Sequence, residues 1–210
     1  MPNKNNTRLL LPDGYFHIFN RGNNYDKLYY SNQDFILFVD LYKKYLTGYV
    51  ETLSWCLINN HFHFLVRIIN HGDETQKIVS NQFRKLFIAF AMKINLKQER
   101  RGSLLTKNFK RVPVVNPVQM RIVVYYIHTN PVKHGISKDF TNYRFSSFRD
   151  VINNRSSIIN LPELLSFFNN DLNEFIDFHL RDGIPVKDAI LEKDAILEKD
   201  AILSDDANSL

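Results

Sequence analysis

The apolar and polar positions near the start of the chain predict a strand followed by a helix. Residues 15–20 are rich in aromatic and β-branched side chains and lie between turn-forming glycines and asparagines, which is typical of a strand. Ser31 and Asp34 then form an N-cap signal ahead of apolar residues at helical spacing. We expect the resulting helix to end at Gly48.

The middle of the chain predicts a hairpin, a helix and a loop. Two β-like runs, residues 49–58 and His61–Ile68, flank Asn59-Asn60, which suits a tight antiparallel turn. Apolar residues at helical spacing then predict a second helix over residues 74–97. Residues 97–111 become strongly basic around a Gly-Ser pair, so we expect a loop there.

A third helix is predicted over residues 118–130, between two prolines. Pro117 is tolerated in a first turn, and Pro131 is expected to end the helix. The order of strand, helix, two strands, helix and helix is typical of an α+β fold. In such folds the helices cover one face of an antiparallel sheet, so we expect the other face to be open.

The composition changes after Ile152, and we predict a boundary there. Residues 153–210 are acidic and rich in asparagine, with short helices expected over residues 161–168 and Leu172–Leu180. The chain ends in repeated KDAILE, whose apolar triplets spiral around a helix because six residues advance about 240°. The sequence therefore predicts one domain over residues 1–152 and an acidic helical extension over residues 153–210.

The composition is that of a globular protein, with 44% hydrophobic and 23% charged residues. Cys56 is the only cysteine, which excludes an internal disulfide and a multi-cysteine zinc site. No apolar run approaches the roughly 18 residues of a membrane span, and the N-terminus lacks the apolar stretch of an export signal. We expect a cytoplasmic protein that does not enter a membrane.

The net charge of +5 hides an uneven distribution along the chain. Residues 1–152 carry 22 basic and 10 acidic side chains, whereas residues 153–210 carry 5 and 12. A basic body of this kind is suited to a polyanion, because Lys and Arg neutralise phosphates and release counterions. A basic protein that binds no polyanion can have the same composition. The charge alone therefore does not distinguish a polyanion-binding protein from one without such a partner.

Two histidines on the predicted hairpin are candidate metal ligands. In His61-Phe62-His63, the alternation of a strand directs both imidazoles to one face of the sheet and Phe62 to the other. Imidazoles at i and i+2 can bind one metal ion, although incidental histidines give the same pattern. The pair by itself leaves both interpretations open.

Tyr126 and Asn130 are four residues apart on the third predicted helix and therefore share a face. A nucleophile and a ligand could lie together there. A helical tyrosine is also commonly a core residue with its hydroxyl at the rim, and an asparagine before proline is commonly a helix-terminal residue. Tyr125 is rotated by about 100° from its neighbour and is expected in the core.

Several segments together resemble the REP-associated tyrosine transposases, a branch of the single-tyrosine transposases that carry a His-hydrophobic-His motif. Their order and spacing match over residues 14–150, and Ile58-Asn59 stands where the family more often has Met-Pro. The matching segments are YFHIFNRGNN from residue 15, WCLINNHFHFLV from 55, QFRKLFIAFAMKINLKQERRGSLL from 82, YIHTNPVKHGI from 126 and YRFSSF from 143.

The resemblance implies a ferredoxin-like or RRM-like sheet whose open face holds the histidines, with the tyrosine helix across it. It implies that His61, His63 and Asn130 bind Mg²⁺ or Mn²⁺ and that Tyr126 is the nucleophile. A neutral imidazole pair and an amide oxygen suit either ion, and imidazole favours Mn²⁺. The implied activity is a metal-dependent endonuclease and strand transferase, acting through a 5′-phosphotyrosine in DNA transposition and recombination.

The implied substrate is single-stranded or hairpin DNA, bound by a monomer or a homodimer. Cationic residues near the predicted loop and the tyrosine helix are the expected backbone contacts. Two other functions remain open: a catalytically idle hairpin-DNA-binding protein, and a hydrolase that uses activated water. The expected DNA contacts are Arg100, Arg101, Lys107, Lys110, Arg111 and Lys133.

Overall fold

The computed structural model describes residues 8–155, 158–181, 183, 184 and 186. Four strands form one sheet, and helices α1 to α6 pack around it. The terminal KDAILE repeat lies outside the described residues. The elements are β1 (Tyr15–Arg21), α1 (Asn32–Leu46), β2 (Val50–Ile58), β3 (His61–Ile68), α2 (Thr75–Lys97), β4 (Lys110–Val114), α3 (Pro117–Lys133), α4 (Phe148–Ile152), α5 (Leu161–Ser166) and α6 (Leu172–Leu180).

The sheet has the order β2-β3-β1-β4, and all of its pairings are antiparallel. With α1 after β1 and α2 after β3, the first six elements follow the βαββαβ order of a ferredoxin-like sheet. The predicted α+β fold is therefore confirmed. The hairpin prediction is confirmed as well, because β2 and β3 pair across the Asn59-Asn60 turn.

The two faces of the sheet carry different cores. Helices α1 and α2 pack together and cover one face, where Phe38, Phe62, Phe64 and Phe90 are buried. Helix α3 lies against β2 and β3 on the other face and contributes to a second core. The alternation of β3 explains the division, because Phe62 and Phe64 enter the first core while His61 and His63 face α3.

Helix α1 begins with the capping signal that the sequence predicted. The Asp34 side chain accepts hydrogen bonds from the backbone of Ser31 at 2.8 Å and of Tyr30 at 2.9 Å. Lys97, at the end of α2, adds an ion pair to Asp34 at 2.6 Å. The helix ends at Leu46, two residues before Gly48, so the predicted end is nearly correct.

Two predictions about residues 97–133 are wrong in detail. Lys110 and Arg111 were assigned to a loop, but they begin the edge strand β4, which pairs with β1. Pro131 was expected to end the third helix, but α3 continues to Lys133. The helix passes Pro131 because the carbonyl of Asn130 still accepts a hydrogen bond from the His134 amide at 3.1 Å.

The described part of the acidic extension packs on the sheet and on α3. The amide of Asn160 donates to the Thr52 carbonyl of β2 at 2.8 Å, which fixes the start of α5. Phe168 and Phe175 are fully buried in the second core. Helices α5 and α6 lie within the predicted ranges, and α4 was not predicted. None of the helices in the described residues is long and apolar enough to span a bilayer.

Candidate active site

The candidate active site lies where β1, β3 and α3 meet. In the sheet, Phe19 of β1 pairs with His63 and Arg21 pairs with His61, so both strands present residues to the same face. Tyr126 of α3 lies over this face, with its ring edge-on to His63 at 5.5 Å between ring centroids. The structure therefore brings together the histidine pair and the tyrosine that the sequence singled out.

The half-buried His61 side chain lies between two amide oxygens. Its Nδ1 is 2.8 Å from Oδ1 of Asn60, and its Nε2 is 2.9 Å from Oδ1 of Asn130. Desolvation and the nearby His134 lower the pKa of His61 to about 3, so the ring is neutral at pH 7 and carries one proton. With Nδ1 protonated toward Asn60, the lone pair of Nε2 faces the oxygen of Asn130.

The Asn130 amide is oriented by its own helix. Its nitrogen donates to the Tyr126 carbonyl at 3.5 Å, one turn back along α3, which directs the oxygen toward His61. The side chain is fully buried, so its position is fixed by the packing of α3 against the sheet. Nε2 of His61 donates to Oδ1 of Asn130 when it carries the ring proton, and when Nδ1 carries that proton both atoms present lone pairs, as ligands of one cation do.

His63 repeats this arrangement with a different partner. Its Nδ1 is 2.9 Å from Nε2 of His17 on β1, while its Nε2 is buried without a hydrogen bond partner among the described residues. Burial, together with His61 and other nearby cationic or titratable groups, lowers the pKa of His63, so its ring is also neutral. When His63 Nδ1 donates to His17, Nε2 carries a lone pair that accepts no hydrogen bond from the described residues.

These donors fit a divalent cation. Metal-binding histidines generally donate their second ring N–H to a neighbouring group, as His61 can to Asn60 and His63 to His17. Adjacent ligands of an octahedral ion with bonds of ~2.1 Å lie about 3.0 Å apart. The 2.9 Å between His61 Nε2 and Asn130 Oδ1 agrees with that spacing. Within the described ranges, no group of three His, Cys, Asp or Glu residues is arranged to hold a metal, so a third protein donor at this site would have to be the amide of Asn130.

Tyr126 is buried at 2% exposure, and its ring contacts both histidines of the His17–His63 pair. Lys133, at the end of α3, places its ammonium 4.3 Å from the centre of the Tyr126 ring. Tyr125 points elsewhere, toward Phe178 and His179 of α6. The structure thus separates the two adjacent tyrosines as the helical rotation predicted.

A small cavity of about 30 Å³ opens beside these residues. Its rim includes Arg21 and Tyr25, whose ring lies 4.1 Å from the Arg21 guanidinium, and His134, whose ring is 4.6 Å from that of His61. Sequence reasoning did not identify Arg21, Tyr25, Asn60 or His17 as site residues. The register of β1 on β3 places His17 and Arg21 here, although both lie within the matching segment from residue 15, whereas Asn60 directly precedes His61 in the turn before β3.

The cationic residues expected to contact DNA divide into separate groups. Arg100 is held by Asp26 at 2.7 Å and by the hydroxyl of Tyr30 at 3.1 Å. Arg101 is exposed in the loop, and Lys133 lies at Tyr126. Lys107 and Arg111 line a larger cavity beside α2, whereas Lys110 pairs with Phe19 and so faces the other side of the sheet.

Comparison with known proteins gives one informative likeness. No protein-family model and no curated protein matches the sequence. Among solved structures, a REP-associated tyrosine transposase bound to a REP hairpin matches with a TM-score of 0.58 and 22% sequence identity. The match covers 72% of this chain and 87% of the other. The chain therefore shares the fold of that transposase.

Proposed function

We propose that the protein is a metal-dependent endonuclease and strand transferase for single-stranded or hairpin DNA, with Tyr126 as its nucleophile. One observation carries the proposal: the Tyr126 ring contacts an imidazole whose Nε2 is orphaned, beside a second imidazole that faces an amide oxygen. The fold shared with a hairpin-bound transposase supports DNA as the substrate. The basic residues 1–152 favour the same partner.

His61, His63 and Asn130 would hold Mg²⁺ or Mn²⁺ through His61 Nε2, His63 Nε2 and Asn130 Oδ1. When bound, the ion supplies positive charge that neutralises the phosphate during the reaction. His17 and Asn60 would orient the two imidazoles by accepting their Nδ1 protons when the Nε2 atoms bind the ion. The amide of Asn130 is oriented by the backbone of its own helix.

The Tyr126 oxygen would attack the phosphorus in line with the leaving oxygen. An O–P bond forms to the tyrosine as the P–O bond to the 3′ oxygen breaks, which leaves a 5′-phosphotyrosine and a free 3′ hydroxyl. The phenol gives up its proton, and the leaving oxygen gains one. A 3′ hydroxyl can later attack the phosphotyrosine and rejoin DNA, because the phosphodiester energy is retained in the covalent bond.

A phenol with an ordinary pKa near 10 is a poor nucleophile at pH 7 and needs stabilisation as it loses its proton. The Lys133 ammonium lies 4.3 Å from the Tyr126 ring centre, where its charge favours the developing phenolate. Arg21 and His134 line the same cavity and are placed to contact a phosphate that enters it.

The burial of Tyr126 favours a second candidate function, a hairpin-DNA-binding protein without catalytic activity. At 2% exposure the phenol reaches a phosphate only if the surrounding residues move on DNA binding. The two functions differ in whether a covalent bond to DNA forms. Water-activated hydrolysis differs from both, because it cleaves DNA and leaves no adduct.

The test is to incubate the protein with end-labelled hairpin DNA and Mn²⁺ and to separate the products by denaturing gel electrophoresis. The wild type is expected to give a slowly migrating protein–DNA adduct, which Tyr126→Phe abolishes. Tyr125→Phe is the matched control, because it removes the adjacent phenol, and it is expected to retain the adduct. An adduct that persists in Tyr126→Phe contradicts the assignment, and cleavage without an adduct identifies the hydrolase.

A further inference from the structure

The chain between β1 and α1, residues 22–31, forms one wall of the small cavity at the candidate active site. We call it the β1–α1 loop. Its Tyr25 lines the cavity, and the Tyr25 ring lies 4.1 Å from the guanidinium of Arg21, which lines the cavity as well. The Gly22 amide donates to the carbonyl of Asn60, a further lining residue, at 2.7 Å. The position of this loop therefore affects two sides of the cavity.

The backbone of the β1–α1 loop is strained. Asn24 and Tyr25 have positive φ angles of 53° and 60°, a region that residues with a bulky side chain rarely adopt because Cβ crowds the backbone. Gly22 approaches the Asp26 carbonyl so closely that a Cβ on Gly22 would lie 1.9 Å from its oxygen. Strained conformations persist where the surrounding structure holds them. The loop thus depends on contacts from outside itself.

Arg100, which lies just beyond the end of α2, supplies such contacts. Its Nη2 forms an ion pair with the Asp26 carboxylate at 2.7 Å, and its Nη1 donates to the Tyr30 hydroxyl at 3.1 Å. The rigid fork of one guanidinium therefore holds two points of the loop at once. Because Asp26 directly follows Tyr25, the ion pair acts beside the strained residue.

Arg100 and Arg101 are adjacent in sequence but differ in what they can contact. The Arg100 side chain is 22% exposed, and its Nε is buried without a hydrogen bond partner among the described residues. Arg101 is exposed. A phosphate can approach Arg101 directly, whereas Arg100 would first have to leave the Asp26 carboxylate.

We propose that Arg100 is a positioning residue, whose ion pair with Asp26 holds the β1–α1 loop in place. The loop then keeps Tyr25 packed on Arg21, at the cavity beside Tyr126. This role differs from the DNA contact that the sequence predicts for Arg100. It rests on the proposed function, because Arg21 is placed there to contact the phosphate that Tyr126 attacks. Loss of Arg100 then misplaces the phosphate and slows the attack, with little effect on DNA binding.

The test separates the rate of the reaction from the affinity for DNA. Formation of the covalent adduct on end-labelled hairpin DNA with Mn²⁺ is followed over time at increasing DNA concentrations. Affinity is measured in the Tyr126→Phe background, so that binding is read without cleavage. Arg100→Gln is expected to lower the rate at saturating DNA about 10- to 100-fold and to change the affinity less than about twofold.

Asp26→Asn distinguishes positioning from DNA contact, because the two roles predict different results. If Arg100 holds the loop, Asp26→Asn lowers the rate as Arg100→Gln does, and the double variant is no slower than either single variant. If Arg100 contacts a phosphate, Asp26→Asn frees it from the carboxylate, raises the affinity for DNA and leaves the rate at saturating DNA unchanged. Asp40→Asn removes an exposed carboxylate of α1 and is the control, expected to change neither quantity.

Two further variants compare the arginines. Arg101→Gln is expected to weaken DNA binding severalfold and to reduce its salt dependence, because an exposed phosphate contact is lost. Raising the DNA concentration restores its rate. Arg100→Lys keeps a positive charge near Asp26 but lacks the planar fork, so it is expected to recover part of the rate that Arg100→Gln loses.

Amide hydrogen exchange of the protein without DNA and metal reports on the loop itself. The amides of Gly22 and Leu28 donate to the turn before β3, at 2.7 and 2.8 Å. Arg100→Gln and Asp26→Asn are expected to speed the exchange of both amides and to leave the amides of β2 and β3 protected, which shows that the fold is retained.

Distinct results overturn the proposal. One is a weaker affinity of Arg100→Gln for DNA with an unchanged rate at saturating DNA. Another is Asp26→Asn protein that binds DNA more tightly and reacts as fast as the wild type. A wild type that forms no adduct contradicts the proposed function. In that case, faster exchange of the loop amides in both variants still supports the hold of Arg100 on the loop, and unchanged exchange overturns it.

Discussion

His17 contacts the candidate metal ligand His63, since its Nε2 lies 2.9 Å from His63 Nδ1. Replacing His17 with phenylalanine keeps an aromatic ring beside Phe19 and removes the acceptor for the His63 proton. His63 then loses the contact that fixes its tautomer and orientation. We expect His17→Phe to weaken Mn²⁺ binding about 10- to 100-fold, as measured by isothermal titration calorimetry.

His71→Phe is the control for this experiment. His71 is a half-buried histidine whose ring packs against Tyr49 at 5.2 Å, away from the candidate site. The same substitution there is expected to leave Mn²⁺ affinity unchanged. Equal affinities for the wild type and His17→Phe would show that the His17 contact does not orient a ligand.

The sequence predicted the residues of the candidate site better than it predicted their surroundings. Strand alternation puts His61 and His63 on one face and helical spacing puts Tyr126 and Asn130 on one face, but only the resemblance to a family indicates that the two pairs form a site. His17 was missed because its role depends on the register of β1 against β3, where it pairs with Leu65 beside His63. Nothing in the local sequence of β1 fixes that register.

At the scale of elements, the two wrong predictions share a physical cause. Strand β4 is short, basic and contains Pro113, all of which disfavour a strand in isolation. It forms because it lies at the sheet edge, where proline is tolerated. Helix α3 likewise passes Pro131 because Asn130 and Pro131 are buried against the rest of the fold and the backbone hydrogen bond from His134 to Asn130 continues the turn. In both places tertiary contacts outweigh the local conformational preference of the residues. Those contacts join segments that are distant in sequence, so the local pattern does not predict them.

Asp34 joins the start of α1 to the end of α2 and gives a prediction about stability. Burial alone would raise the pKa of Asp34, but hydrogen bonds from Lys97, Tyr30 and Ser31 bring it below its ordinary value of 3.8. A carboxylate whose pKa is lowered by folding contributes its full stabilisation at pH values above its pKa in the unfolded chain. That stabilisation is lost as the pH falls through its lower pKa in the folded protein. We expect Asp34→Asn to reduce the free energy of unfolding by about 1–2 kcal/mol at pH 7.

Urea unfolding of the wild type and Asp34→Asn at several pH values checks this expectation. The difference between them should shrink as the pH falls below about 4, because the wild-type carboxyl is then protonated as well. Asp40→Asn removes an exposed carboxylate from the same helix and should change stability by less than about 0.5 kcal/mol. A difference that is the same at every pH would show that the Asp34 charge is not what stabilises the helix start.

At the scale of the whole molecule, the described part of the extension helps to hold α3 in place. His128 of α3 lies two residues beyond Tyr126 and is buried between the Ser147 hydroxyl at 2.8 Å and His179 of α6 at 2.9 Å. The backbone amide of Trp55 in β2 donates to Ser147 at 2.9 Å. Arg121 adds an ion pair to Glu174 at 2.7 Å. Contacts from β2 and α6 therefore fix the helix that carries the proposed nucleophile.

At neutral pH these contacts are satisfied by the following set of protons. His179 Nδ1 donates to the Phe175 carbonyl at 2.8 Å, so its Nε2 accepts from His128 Nδ1, and His128 Nε2 accepts from Ser147. Each ring is neutral in this arrangement. A proton added to His179 would point its Nε2–H at the Nδ1–H of His128 unless His128 moves its proton to Nε2 and the Ser147 hydroxyl turns to the Trp55 carbonyl at 3.2 Å, so acid conditions disrupt this arrangement of the contact between α3 and α6.

Burial lowers the pKa of His179 to about 4, whereas the pKa of a histidine in the unfolded chain is near 6.5. The neutral ring therefore contributes its full stabilisation at pH values above about 6.5. That contribution is lost as the pH falls from 6.5 toward 4 and amounts to roughly 3 kcal/mol. We expect His179→Phe to reduce the slope of the unfolding free energy against pH in this window. Urea unfolding should show that up to one proton fewer is taken up on unfolding. An unchanged slope in His179→Phe would mean that His179 becomes charged without disturbing the packing of α6 on α3.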